Sequence, residues 1–159
     1  MRYQPAIERL LLVVWLGAIW SVGFLVAPTL FAMLDDRSIA GNIAGRLFII
    51  VSHIGLVCGV LLLVLAFKQS GVAVVRHWRA WVVGLMLLLT ILGQYVVAPM
   101  MQDIRQARLQ NAFVSPELYQ KFQTLHGISS SLFVLTSLLG LVIVVAGVLP
   151  ASSREDSDR

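Results

Sequence analysis

The chain is poor in charge: only 13% of its 159 residues are Asp, Glu, Lys or Arg, while 58% are apolar. A soluble domain of ordinary composition carries about twice that share of charge, so a soluble globular fold is nearly excluded. Intrinsic disorder is disfavoured by the same figures, since it requires low hydrophobicity and high net charge. The net charge of +4 does not indicate nucleic-acid binding, because the basic residues are scattered between apolar blocks.

Cysteine and the common catalytic motifs are also scarce. Cys58 is the single cysteine, so neither an intramolecular disulfide nor a Cys-x-x-Cys zinc or redox pair is available. The sequence holds no Gly-x-Ser-x-Gly elbow, no His-Glu-x-x-His motif and no paired carboxylates on one helix face. These absences favour a non-enzymatic role and leave enzymatic activity as an open alternative.

The chain contains instead four long apolar stretches without Asp, Glu, Lys or Arg. They cover about residues 10–34, 47–67, 80–102 and 122–149. An uncharged apolar stretch of this length is typical of a transmembrane helix, and a helix pairs its own backbone groups inside lipid. The pattern predicts an all-α membrane protein whose four transmembrane helices form a bundle. It forms one domain over residues 1–150, followed by a disordered polar tail at 151–159.

The distribution of Lys and Arg predicts the orientation in the lipid bilayer. Seven of these residues lie at the two termini and in the connection between the second and third stretches, and five lie on the opposite side. The excess favours both termini in the cytoplasm. A basic and aromatic cluster at residues 76–81 is typical of a headgroup anchor.

Residues 103–121, between the last two stretches, predict a helical hairpin. Ser115, Pro116 and Glu117 form a helix-start pattern of capping serine, first-turn proline and first-turn acid. A helix from Pro116 to Leu149 would be about 51 Å long, whereas the hydrocarbon core is about 30 Å thick. We therefore expect helices 3 and 4 to project past the membrane as a hairpin.

Two similar segments suggest an internal repeat. Val-Ala-Pro triplets end at Pro28 and Pro99, 71 residues apart, and Gly23 and Gln94 lie five residues before them. One interpretation is two repeated helical hairpins, as in some transporter folds; the other is coincidence. Each proline predicts a kink or a helix end, because it disrupts the helical hydrogen bonding.

Three sequence blocks resemble a known family. They are residues 15–31, which end in FLVAPTLF, residues 40–48, AGNIAGRLF, and residues 122–130, FQTLHGISS. They are similar to blocks of a family of small bacterial membrane proteins with domain of unknown function 4149, related to eukaryotic transmembrane protein 205. The resemblance covers about residues 10–147. It implies a four-helix protein of the bacterial inner membrane and brings no settled activity.

Two histidines are the clearest candidates for cofactor binding. His53 and His126 follow the starts of the second and fourth stretches, at comparable shallow depth on one side. If those helices are neighbours, the two imidazoles could ligate haem b iron or copper. The alternative is that each histidine hydrogen-bonds between helices or lies in the interfacial zone.

Small residues at four-residue spacing predict close helix packing. The pairs are Gly41 with Gly45 and Gly55 with Gly59. Such pairs let helix backbones approach one another. They act either within the chain, which a four-helix bundle requires first, or between copies in a homo-oligomer.

Three functional classes remain open. The first is a non-enzymatic membrane protein that acts through a membrane protein partner, with the 103–121 hairpin as the contact. The second is a haem- or metal-binding redox protein that uses His53 and His126. The third is a small uncoupled channel or carrier lined by Gln94, Ser129 and Thr136, since the charge-free stretches argue against ion coupling.

Overall fold

The computed structural model describes the backbone of residues 4–110 and 116–148 and the side chains of residues 5–106 and 116–146. Within that backbone, every residue outside 34–36 and His77 is helical, and none is in a strand. Four helices are long and apolar enough to cross a membrane, and we name them spans 1 to 4: Pro5–Met33, Arg37–Arg76, Trp78–Gln106 and Pro116–Ala146. The predicted all-α fold with four membrane-spanning helices is confirmed.

The spans are built from six α-helices. Most of span 1 is formed by α1 (Gln4–Trp20) and α2 (Ala27–Met33), and most of span 2 by α3 (Arg37–Ser70). Most of span 3 is formed by α4 (Trp78–Ile91) and α5 (Ala98–Gln110), the latter of which continues past the span, and span 4 lies in α6 (Pro116–Val148). The helix of span 2 starts well before the apolar stretch at residue 47. The connection between spans 1 and 2 is therefore only residues 34–36.

Asp36 explains the early start of α3. Its Oδ1 accepts hydrogen bonds from the backbone N–H of Ser38 at 2.7 Å and of Ile39 at 3.3 Å. An aspartate at this position satisfies N–H groups that have no partner within the helix. Residues 37–46, which the charge pattern alone assigns to a loop, are thus the first turns of a helix.

Spans 1 and 3 each change their winding just before a proline. Residues Ser21–Val26 and Leu92–Val97 are π-helical, and each segment runs into an Ala-Pro pair that opens the next α-helix. The N–H of each alanine bonds the carbonyl five residues earlier, Ala27 to Val22 and Ala98 to Gly93. In an α-helix the proline ring would collide with the carbonyl four residues earlier. The wider π turn relieves that collision, so the helix continues.

The helices therefore do not end at Pro28 or Pro99. The expected disturbance takes the form of a π segment on the N-terminal side of each proline. The two π segments begin 71 residues apart, at residues 21 and 92, which is the spacing of the Val-Ala-Pro triplets. An internal repeat predicts the same local structure at both places.

The connection between spans 2 and 3 is tightly folded. Gly71 ends α3 with φ of 54°, a backbone angle that favours glycine, and residues Gly71–Arg76 form a 3₁₀ helix. The indole Nε1 of Trp81 donates to the carbonyl of Val75 at 2.8 Å. Arg79 donates to the carbonyl of Ala146 at 3.0 Å, which ties the start of span 3 to the end of span 4.

The bundle has a clear neighbour order. α1 packs against α3 and α6, and α4 packs against the same two helices. Spans 2 and 4 consequently lie at opposite corners of the bundle. Their side chains meet across the centre at Phe48 and Phe133, whose ring centroids are 5.5 Å apart.

The main core lies around Trp15, which is fully buried. Its indole packs on Gly55 and Gly59, and Leu87 approaches Gly59 from span 3: a Cβ added at Gly59 would lie 2.6 Å from a Leu87 methyl carbon. The other buried members of this core are Leu16, Ile19, Val51, Cys58, Leu62, Val83, Met86 and Ile143. The Gly55–Gly59 pair therefore packs helices within the chain.

A second, smaller core joins the C-terminal part of span 3 to α6. Its buried members are Val97, Met101, Ile104 and Leu125. Both helices extend beyond the apolar stretches, α5 to Gln110 and α6 from Pro116. The helical arms of the predicted hairpin are thus present and packed together, while the predicted cap Ser115 and the 151–159 tail lie outside the described residues.

Candidate functional site

A cavity of about 1040 Å³ lies between the four spans. On span 1 its lining residues recur every third or fourth position, as one face of a helix does: Trp15, Ile19, Gly23, Ala27, Pro28 and Phe31. Both Gly23 and Gln94 belong to π segments, so the changed winding of spans 1 and 3 forms part of the cavity wall. π turns are frequent at functional sites.

The cavity is elongated along the bundle. On span 3 its lining extends from Leu89 to Gln106, and on span 1 from Trp15 to Phe31. The two stretches are about 26 Å and about 24 Å long at 1.5 Å per residue, against a hydrocarbon core of about 30 Å. Arg105 and Phe31 lie toward the end of the bundle that carries the 34–36 connection, which we call the 34–36 end.

The lining combines apolar residues with many uncharged polar side chains. The polar ones are Asn42, Ser52, Thr90, Gln94, Gln102, Gln106, His126, Ser129, Ser130 and Thr136. Gln94, Ser129 and Thr136 are the three residues that the sequence predicts as the lining of a channel or carrier. The structure brings all three to this one cavity.

Several of these polar groups are available to a ligand. The hydroxyls of Thr90 and Thr136 donate to carbonyls of their own helices, Met86 and Leu132, each at 2.8 Å, which leaves their oxygen lone pairs to accept a further bond. The amide of Gln94 makes no hydrogen bond to any residue of the described part of the chain, so it can both donate and accept.

Arg105 lines the cavity, although it lies just past the third apolar stretch and was not predicted from the sequence as a lining residue. It is half-buried, and its guanidinium carbon lies 5.8 Å from the centroid of the Phe122 ring. A Cβ added at Gly45 would be 2.9 Å from its Nη1, so the absence of a side chain at Gly45 makes room for the guanidinium. The sequence does contain a signal for this role of Arg105. Thr90, Gln94, Met101 and Arg105 follow one another at helical spacing, so they share one face of span 3.

The charged residues that line the cavity are all positive. Arg46 and Arg105 are the only charged members of its lining, and no Asp or Glu lies among the lining residues that the structure describes. Within the described ranges Arg105 also forms no ion pair. The 34–36 end of the cavity is therefore cationic.

Phe133 forms the wall where spans 1, 2 and 4 meet. Its ring packs directly on Gly23, at a place where an added Cβ would collide with it. Phe24 and Phe48 flank the same ring, each with a centroid distance of 5.5 Å. A side chain at position 23 would therefore have to displace this aromatic cluster.

The two candidate histidines have different surroundings. His126 lines the cavity and stacks on Phe122 with ring centroids 6.3 Å apart. His53 is not among the lining residues; its Nδ1 lies 2.7 Å from the carbonyl of Ile49, and its ring lies 6.5 Å from that of Tyr95. Over the described residues, no group of three or more His, Cys, Asp or Glu is placed to hold a metal ion.

A second cavity, of about 820 Å³, lies between α3 and α4 near the other end of the bundle. Apart from Lys68, its lining residues are apolar and include Phe67, Trp81 and Leu88. It contains none of the residues that the sequence singles out for a cofactor or a channel.

Fold and cavity together define a class: an all-helical integral membrane protein of four spans, with a polar-lined cavity inside its bundle. The particular family follows from comparison with known families. The family model described as a domain of unknown function, DUF4149, matches residues 10–110, more than half of the chain, and the chain belongs to this family. No curated protein matches the chain, and no solved structure does.

The family match includes two of the three sequence blocks that carry the resemblance. Residues 15–31 and 40–48 lie inside the matched range, and residues 122–130 lie beyond it. The relation to eukaryotic transmembrane protein 205 stays a prediction. Because the family is defined without an activity, membership of it assigns no function to the cavity.

Proposed function

We propose that the protein binds a small ligand in the cavity between its four spans and lets it cross the membrane without ion coupling, as a small channel or carrier. The observation that carries this proposal is that Gln94, Ser129 and Thr136 line one cavity. Ligand sites are concave, largely apolar and contain a few convergent polar groups. The cavity has this character over most of the bundle length.

The charge of the lining supports an uncoupled mechanism. Ion- and proton-coupled carriers use an ionisable group within the membrane, most often a carboxylate. The described lining offers no carboxylate, and its ionisable groups, Arg46, Arg105 and His126, lie toward the 34–36 end. Passage would then follow the gradient of the ligand itself.

Flux into liposomes tests this proposal. The reconstituted protein is given two uncharged polar probes, urea and glycerol. We expect flux of at least one probe above that of protein-free liposomes. Gln94→Leu should lower it by about two- to tenfold, the effect of one lost hydrogen bond.

Val96→Leu is the matched control, because Val96 is 49% exposed, belongs to the same π segment and does not line the cavity. It should transport like the unaltered protein. If no probe crosses faster than in protein-free liposomes, or if Gln94→Leu has no effect, the proposal is wrong.

Haem or metal binding by His53 and His126 is a second proposal. His126 lines a cavity of about 1040 Å³, which gives it access to a ligand. His53 lies on the diagonally opposite helix, against Tyr95. Joint ligation therefore requires the His53 side chain to leave Tyr95 and turn into the cavity. Purified protein without a Soret band and without bound iron or copper contradicts this proposal.

Action through a membrane protein partner is a third proposal. The helical arms of the 103–121 hairpin, where Ile104 belongs to the smaller core and Leu118 packs against it, are the feature that supports it. Replacing residues 106–120 by a short flexible linker should abolish co-purification of the partner while the rest of the bundle remains helical. An unchanged set of co-purified proteins would contradict it.

We also propose that the protein resides in a bacterial inner membrane with both termini in the cytoplasm. The family resemblance and the seven-to-five distribution of Lys and Arg support this placement. Protease or thiol accessibility of tagged termini in sealed vesicles decides the orientation.

A further inference from the structure

We propose that the ligand of the cavity is an anionic amphiphile, with its acidic head group held by Arg105 and its hydrocarbon chain extending toward Trp15. The inference rests on the proposed function, since it names the ligand class of the same cavity. Three features support it: an uncompensated cation, the confinement of charge to one end of the lining, and two neighbours that position the guanidinium.

The uncompensated cation is Arg105. It is half-buried, and in the side chains that the structure describes it has neither an ion-pair nor a hydrogen-bond partner. A cation withdrawn from water is stabilised by a counter-charge. The guanidinium offers a planar fork of donors that matches carboxylate and phosphate oxygens.

Charge is confined to one end of the described cavity lining. Arg105 lies toward the 34–36 end, with the amides of Asn42, Gln102 and Gln106. At the opposite end the described lining is uncharged: Ile19 and Leu89 lie there with Trp15, and the hydroxyls of Thr90 and Thr136 donate to carbonyls of their own helices. Because the two ends are about 24 Å apart, one elongated molecule with a polar head and an apolar chain matches both.

The guanidinium position is built by two neighbours. The Phe122 ring lies 5.8 Å from the guanidinium carbon, within reach of a cation–π contact. Gly45 provides the space for Nη1. Both contacts restrict the long side chain, so less of its freedom is lost when an anion binds.

Binding in nanodiscs of neutral phosphatidylcholine tests the inference. The probes are dodecyl phosphate, dodecyltrimethylammonium and inorganic phosphate, and empty nanodiscs correct for partitioning into lipid. We expect saturable binding of dodecyl phosphate, about tenfold or more tighter than that of either other probe.

Variants assign the binding to Arg105. Arg105→Gln should weaken dodecyl phosphate binding by about ten- to hundredfold, the range for a lost hydrogen bond to a charged group, and Arg105→Lys by less. Arg37→Gln is the control, because Arg37 is exposed near the same end and does not line the cavity. If Arg105→Gln loses its helical circular dichroism, Gly45→Ala replaces it, since the added methyl group displaces the guanidinium and should weaken binding.

Equal affinity for the cationic probe would show that Arg105 selects no charge, and equal affinity for inorganic phosphate would show that the chain is not bound. Either result overturns the inference, as does unchanged binding in Arg105→Gln or, where that variant does not fold, in Gly45→Ala.

If the inference fails in this way, urea or glycerol flux that still depends on Gln94 would leave the proposed function standing. Loss of that flux dependence with intact dodecyl phosphate selectivity would overturn transport and keep the binding site.

Discussion

At the residue scale, two aromatic rings and their glycine partners set the distance between spans. Trp15 packs on Gly55 and Gly59, and Phe133 packs on Gly23. The Nε1 of Trp15 is buried without a hydrogen-bond partner among the described residues. Shape, more than hydrogen bonding, therefore holds this indole in place, as expected where small residues let helices approach closely.

A methyl group at position 55 tests this packing. Gly55→Ala should lower the free energy of unfolding by about 1–3 kcal/mol, because the added Cβ would overlap the buried Trp15 ring. Thermal unfolding in detergent measures the change. Gly17→Ala is the matched control in the same bundle, since nothing lies within 4 Å of its added Cβ. Equal melting temperatures for the two variants would show that Trp15 does not pack this way.

Some residue roles could be predicted from the sequence and others could not. The four-residue spacing of Gly55 and Gly59 indicated a close helix contact. Arg105 escaped notice because a charge just past an apolar stretch usually lies in water. Its burial depends on the continuation of α5 and on the space at Gly45, which are properties of the folded hairpin.

At the element scale, the paired π segments are the feature that the sequence least reveals. A proline predicts a disturbance but does not specify its form. The π turns keep spans 1 and 3 continuous and place Gly23 and Gln94 on the cavity wall. By contrast, the start of α6 at Pro116 was predictable from the serine–proline–acid pattern.

Hydrogen–deuterium exchange tests the π winding. We expect the amides of Ser21–Val26 and Leu92–Val97 to exchange faster than those of residues 132–139 in α6, an unbroken α-helix that also borders the cavity. The reason is the less regular hydrogen bonding of a π turn. Equal protection in the three segments would contradict the assignment.

At the scale of the whole molecule, the neighbour order decides which residues can act together. The sequence predicted four spans but not that spans 2 and 4 lie at opposite corners. The predicted pairing of His53 with His126 required spans 2 and 4 to be direct neighbours, and the bundle instead places them at opposite corners. The same order brings Gln94 of span 3 and Ser129 of span 4 to one cavity, because their helices are direct neighbours.

Thiol labelling in the membrane measures whether this cavity admits polar molecules into the bundle. In a Cys58→Ser background, single cysteines replace Gln94 and Ser129, which line the cavity, and Val96 and Ile128, which are 49% and 45% exposed and do not. A small water-soluble thiol reagent should label Gln94→Cys and Ser129→Cys many times faster than Val96→Cys and Ile128→Cys. Equal labelling of Gln94→Cys and Val96→Cys, and of Ser129→Cys and Ile128→Cys, would show that polar molecules do not enter the cavity.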